Sequence, residues 1–171
     1  MSRYAAFLRG ANVGGTALRM AEVKQAVEGA GFTAVKTILA SGNILFDHRG
    51  TAAAARELLE QTLRASFGYE AWALMCELAE LARIEAAFPF PKEVDGMHSY
   101  VVLCSDPAVL DELAALELSP GERRAKGDGV LYWQTPKGTT LDGAMGKAMG
   151  KKRYKSSTTT RNVRTIQKAL A

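Results

Sequence analysis

The chain has 171 residues, 47% of them hydrophobic and 23% charged, with two cysteines and a formal net charge of +4. A chain of this length buries roughly 70% of the surface its unfolded form exposes, so neither a metal nor a disulfide is needed to hold a core, and the composition excludes a disordered or collagen-like polymer. No apolar run approaches the ~18 residues of a membrane helix, and the apolar stretch before Arg9 is too short for a secretory signal. The expectation is a cytoplasmic protein with no membrane partner. Cys76 and Cys104 lie in or beside apolar runs without partners at metal-ligand spacing, which reads as buried packing thiols.

Tyr4 to Arg9 alternates two faces and predicts a first strand. After Gly10-Ala-Asn-Val-Gly-Gly15, Met20, Val23, Val27 and Ala30 recur at helical spacing, and Gly31 stands where a C-terminal cap belongs. Val35–Leu39 and Ile44–Phe46 are β-prone runs joined by Ala40-Ser-Gly-Asn43, which predicts a hairpin. From a Thr51 cap, Ala55, Leu58, Leu59, Thr62, Leu63 and Phe67 trace one helical face before Gly68 ends it, and Tyr69–Met75 reads as a further strand. The order is βαββαβ, the split βαβ plan of a ferredoxin-like unit over residues 1–76.

Glu77–Ala87 predicts a helix that Phe88-Pro-Phe-Pro91 cannot continue, so residues 77–97 are expected to connect two subdomains. In 98–171, Ser99–Cys104 predicts a strand and Asp106-Pro107 the start of a helix carrying Val109, Leu110 and Leu113. Pro120-Gly121 predicts a turn, and Gly127-Asp-Gly129 a hairpin whose outgoing strand puts Tyr132 and Trp133 on opposite faces. A short helix is expected near Leu141–Met149. A last helix is expected from Thr160, capped by Thr158 or Thr159, with Val163, Ile166 and Leu170 on one side and Arg161, Arg164 and Lys168 on the other. The fold class is therefore α+β, with a ferredoxin-like first subdomain and a smaller, less regular second one ending in a basic helix.

The charge is unevenly placed. Residues 1–142 hold 14 Lys or Arg against all 18 Asp and Glu, a balance of −4, whereas 143–171 hold eight bases and no acid. Such a segment attracts phosphate groups or polyanions, or it docks on the acidic body of its own chain.

Familiar chemistry is absent. Neither Gly146-Lys147 nor Gly150-Lys151 satisfies the phosphate-loop spacing, and the glycines of 10–15 do not match a dinucleotide fingerprint. Ser41 lacks a nucleophile elbow, and His48 and His98 read as surface residues beside turns. No metal or cofactor is expected. Six polar loop residues remain: Arg9, Asn12, Ser41, Asn43, Arg161 and Asn162. In the βαββαβ plan the first and third strands are antiparallel neighbours, which brings Arg9 and Asn12 toward Ser41 and Asn43. Guanidinium and amide donors of this kind suit a carboxylate or phosphate; alternatively, Asn12 and Asn43 bond their own turns and Arg9 pairs with a carboxylate of the chain.

Three ordered motifs, Arg9-Gly-Ala-Asn-Val-Gly-Gly15, Thr37-Ile-Leu-Ala-Ser-Gly-Asn43 leading into Phe46, and Thr159-Thr-Arg-Asn162, resemble the bacterial domain-of-unknown-function family 1697. The resemblance covers nearly the whole chain. It implies an α+β fold with a ferredoxin-like first subdomain, and no activity. Ala11 stands where the family usually has a larger aliphatic residue, and Val163 replaces its usual tryptophan. The motifs fall on the same six polar residues. The functional expectation is non-catalytic binding of a phosphate-bearing or other anionic ligand, either a nucleotide, a nucleic acid or a small anion. The alternatives are an enzyme acting on a small anionic substrate, in which Arg9 or Arg161 orients the anion and Asn12 or Asn43 polarises developing charge, and a homo-oligomeric structural protein.

Overall fold

In the computed structural model, which describes residues 1–10 and 17–171, the alternating Tyr4–Leu8 run lies within β1 (Ser2–Arg9). The elements that follow are α1 (Met20–Gly29), β2 (Thr33–Ile38), β3 (Asn43–His48), α2 (Ala52–Phe67) and β4 (Trp72–Glu77). The four strands form one antiparallel sheet in the order β2-β3-β1-β4. Tyr4, Ala6 and Leu8 of β1 turn toward Val23 and Val27 of α1 and Leu59 and Leu63 of α2, and Phe32 meets Phe46 edge-on at 4.6 Å. The opposite face is buried as well, through Ala5, Phe7, Leu45 and Leu74. Helix α2 begins where Thr51 accepts a hydrogen bond from the Ala54 amide (3.1 Å) and ends at Gly68, whose φ of 65° is the left-handed cap that glycine adopts without a Cβ clash.

The rest of the chain runs α3 (Leu78–Ala86), β5 (Met97–Cys104), α4 (Pro107–Ala115), β6 (Arg123–Lys126), β7 (Val130–Pro136), α5 (Ala144–Met149), a 3-10 turn at Lys152–Tyr154, β8 (Thr158–Asn162) and α6 (Val163–Leu170). Its sheet has the order β6-β7-β5-β8 and is again antiparallel. From β5 onward the order is βαββαβ followed by a helix, and the strand order is that of the first sheet with each strand replaced by its counterpart. The two halves share one plan without a shared motif. Asp106 caps α4 by accepting from the Ala108 amide (2.9 Å), with Pro107 in the first turn. Tyr132 and Trp133 face opposite ways. The Trp133 ring packs with Val102, Leu113 and Met145, while the Tyr132 hydroxyl donates to the Ile84 carbonyl (2.8 Å).

Strand β8 corrects the expectation for the chain's end. Thr158–Thr160 does not cap a helix begun at Thr160. These β-branched residues pair with Leu103, Val102 and Cys104 of β5, and α6 starts only at Val163. A threonine run offers either cap hydroxyls or stiff strand-forming side chains, and a free edge on β5 decides for the strand. The Thr158 hydroxyl donates back to the Tyr154 carbonyl (2.9 Å) instead.

The chain divides into two compact units, Met1–Ala82 with Lys168–Ala171, and Arg83–Gln167. The family-like loop containing Asn12 lies outside the described residues.

Gly146 marks the closest backbone approach in the second unit. A Cβ there would lie 1.8 Å from the Thr140 carbonyl oxygen, whereas one at Gly150 would meet nothing nearer than 3.6 Å. Helix propensity alone favours alanine over glycine by roughly 1 kcal/mol at Gly146, inside α5, whereas Gly150 is its C-cap. Gly146→Ala is instead expected to destabilise by about 1–3 kcal/mol and Gly150→Ala to be tolerated, as measured by urea unfolding. Equal effects of the two substitutions would show that the Thr140 contact does not constrain α5.

Candidate functional site

In the first unit the hairpin between β2 and β3 is built around Asn43. The backbone passes through positive φ at Leu39 (58°) and Gly42 (85°), and the Gly42 carbonyl accepts from the Leu8 amide of β1 at 2.8 Å. Asn43 is fully buried; its Nδ2 donates to the Ile38 carbonyl (2.7 Å) and to the Ser41 hydroxyl (2.8 Å). Both amide protons are thus committed within the turn, so Asn43 is a turn-former rather than a donor held ready for a substrate. Arg9 closes β1 opposite Trp72 of β4, half-buried, and its burial pulls the guanidinium below its ordinary value. Arg9, Ser41 and Asn43 therefore belong to one end of one sheet.

Arg161 and Asn162 belong to the second unit, on neighbouring positions of β8 with opposite directions. Arg161 is not on a cationic stripe of the last helix. It sits opposite Val101, only 7% exposed, and its guanidinium donates to the Thr159 hydroxyl (2.7 Å) and the Thr160 carbonyl (2.8 Å). Asn162, opposite Tyr100, is the residue that caps α6, its Oδ1 accepting from the Arg164 amide at 2.9 Å.

Beyond Asn162 the strand β8 stops, while β5 continues to Met97 with only β7 beside it. A groove of about 320 Å³ opens there. Asn162 and Arg164 line it from the start of α6, His98 and Ser99 from β5, Lys137 from the end of β7, and the segment Lys92–Asp95 from the remaining side. His98 stacks at a tilt on Tyr100, with ring centroids 5.6 Å apart. Of the six residues singled out in the sequence, five are among the described residues, and of those only Asn162 lines this groove. The adjacent pair His98–Ser99 is far along the chain from Lys137 and Arg164, and no spacing rule joins them; a register between strands does.

The basic segment is partly neutralised within its own unit. Glu112 of α4 takes both Arg153 and the Tyr154 hydroxyl, the latter at 3.2 Å, and Glu93 takes Arg164 at 3.2 Å. Lys147, Lys151, Lys152 and Lys155 remain exposed, and the first three have no ion pair among the described residues. The cysteines offer no nucleophile. Burial pushes the Cys76 thiol up to about 12 and raises that of Cys104. Among the described residues no three His, Cys, Asp or Glu side chains gather as metal ligands, and no helix is long and apolar enough to cross a membrane.

A family profile described as a protein of unknown function, DUF1697, matches residues 1–132. No curated protein matches the chain. Among solved structures the chain is similar to the conserved bacterial protein SP0830 from Streptococcus pneumoniae, with 24% identity, a TM-score of 0.81, and coverage of 98% of this chain and 96% of that one. At that identity the likeness establishes a shared α+β fold.

Replacing Asn43 by alanine removes its bond to the buried Ile38 carbonyl, so Asn43→Ala is expected to cost about 1–3 kcal/mol in urea unfolding. A variant as stable as the parent would return Asn43 to the pool of ligand-binding candidates. Iodoacetamide at neutral pH is expected to alkylate Cys76 far more slowly than free cysteine; alkylation at the free-thiol rate would contradict its burial.

Proposed function

The chain belongs to the DUF1697 family of proteins of unknown function, which hands down no activity, and we propose that it binds a phosphate-bearing polyanion, a nucleic acid, without catalysing a reaction on it. The observation that carries this reading is the corner formed by α5 and the 3-10 turn. Lys147, Lys151, Lys152 and Lys155 are all exposed within nine residues, while Arg153 and the buried Tyr154 hold that corner to α4 through Glu112. Lysine ammonium groups on an anchored surface neutralise phosphates and release their counterions, which gives affinity without base recognition. Against catalysis stand the two protonated thiols and the committed amide of Asn43.

Fluorescence anisotropy with a labelled duplex oligonucleotide tests the proposal. Binding is expected at low salt, with log K falling against log salt at a slope of about −3 for three or four phosphates neutralised. Replacing Lys147, Lys151 and Lys152 together by alanine is expected to flatten that slope and weaken binding, while stability changes by less than about 1 kcal/mol, as for surface sites generally. Binding that ignores both salt and the triple substitution would overturn the proposal.

A further inference from the structure

We propose that the groove at the open end of the second sheet is a separate site for a small phosphomonoester carrying a hydroxyl or ammonium group. The argument begins with Ser99, which is 5% exposed and lines the groove. Its oxygen accepts from the Gln134 Nε2 at 3.0 Å, and the same nitrogen is held by the Pro91 carbonyl at 2.6 Å. Gln134, itself 1% exposed, therefore fixes Ser99 as an acceptor on one side, and the serine O–H has no acceptor among the described residues. A buried hydroxyl proton in a cavity wall that has no acceptor within the chain is costly unless something in the cavity takes it.

Three other groove residues also have donor protons with no acceptor among the described residues, although Arg164 and Lys137 are exposed to solvent rather than buried. Asn162 uses its Oδ1 for the α6 cap and keeps both Nδ2 protons. Arg164 meets Glu93 through Nε alone, so its two terminal nitrogens keep the fork that suits an oxyanion. Lys137, whose backbone amide is pinned to the Gly96 carbonyl at 2.9 Å, has no ion pair among the described residues. Lys92 is the exception, held by Glu85 at 2.6 Å. Hydroxyl, amide, guanidinium and ammonium donors drawn from β5, β8, α6 and the end of β7 suit a group with three acceptor oxygens better than a planar carboxylate. The polarity continues behind the groove, where Thr135, directly across from His98 and fully buried, has a hydroxyl without a partner among the described residues.

Asp95 sets the rest of the ligand. It lines the same groove without a cation at ion-pair distance among the described residues, and it repels a bare dianion. A ligand that gives Asp95 an ammonium or hydroxyl proton while presenting phosphate to Ser99, Arg164 and Lys137 satisfies both ends. The volume suits a metabolite-sized molecule at the small end of ligand pockets.

The test is an amide-resolved NMR titration of the full chain with inorganic phosphate and, separately, with phosphoethanolamine. Saturable shifts are expected at His98, Ser99, Lys137, Asn162 and Arg164, with phosphoethanolamine the tighter of the two. Ser99→Ala and Lys137→Met are each expected to weaken binding by about tenfold, the scale of one charge-assisted hydrogen bond. Lys137 is exposed, so its variant remains informative if the serine variant fails to fold. Asp95→Asn is expected to remove the preference for phosphoethanolamine and to tighten inorganic phosphate. The triple lysine variant of the α5 corner is expected to keep every one of these shifts, which separates this site from the oligonucleotide reading. No saturable shift with either probe up to about 10 mM, or shifts indifferent to Lys137→Met, would overturn the proposal.

Discussion

The pairing of β8 with β5 is the constraint on which the second unit depends. It covers the free edge of β5 with a threonine-rich strand, and its register sends Arg161 to one face of the sheet and Asn162 to the other. By ending at Asn162 it also sets where α6 begins and leaves Met97–Ser99 with a neighbour on one side only. The groove is the space left by that mismatch in length. A strand three residues longer would pair with those residues, and one two residues shorter would move the α6 cap off the groove wall.

The same logic governs the charges. Eight bases without an acid near the end of the chain suggest one electropositive surface, yet carboxylates far away in sequence take some of them individually. Glu112 on α4 holds Arg153, and Glu93 holds Arg164. Exposed pairs of this kind contribute little to stability, at most about 1 kcal/mol each. Their effect is positional. Glu112 also binds the Tyr154 hydroxyl and so fixes the corner that displays the remaining lysines, and Glu93 orients one edge of the Arg164 guanidinium.

Two copies of one βαββαβ plan follow each other without a repeated motif, because the plan is set by element order and strand direction rather than by particular residues. Polar residues at strand ends are then free to take different tasks. Asn43 in the first unit closes its own hairpin, whereas Asn162 in the second caps a helix beside a groove. Two asparagines chosen for the same chemistry thus perform different tasks, decided by which backbone groups each meets first.

Local patterns in the sequence were sufficient for the first unit and for the start of α4 in the second. The alternation of Tyr4–Leu8, the Thr51 and Asp106 caps, the glycines at 31 and 68 and the hairpin around Ser41-Gly42 all act within a few residues, and each appears where the pattern puts it. Side-chain periodicity and cap chemistry are short-range, so a single sequence carries them. Strand β8, the burial of Arg161 and the groove of His98, Ser99, Lys137 and Arg164 were decided only when distant segments met. A threonine run is equally a cap or a strand until an edge is offered to it, and an arginine is a surface charge until its strand is paired. The sequence alone determined most of the elements and their order; tertiary pairing decided strand β8 and which polar groups were left with protons to give.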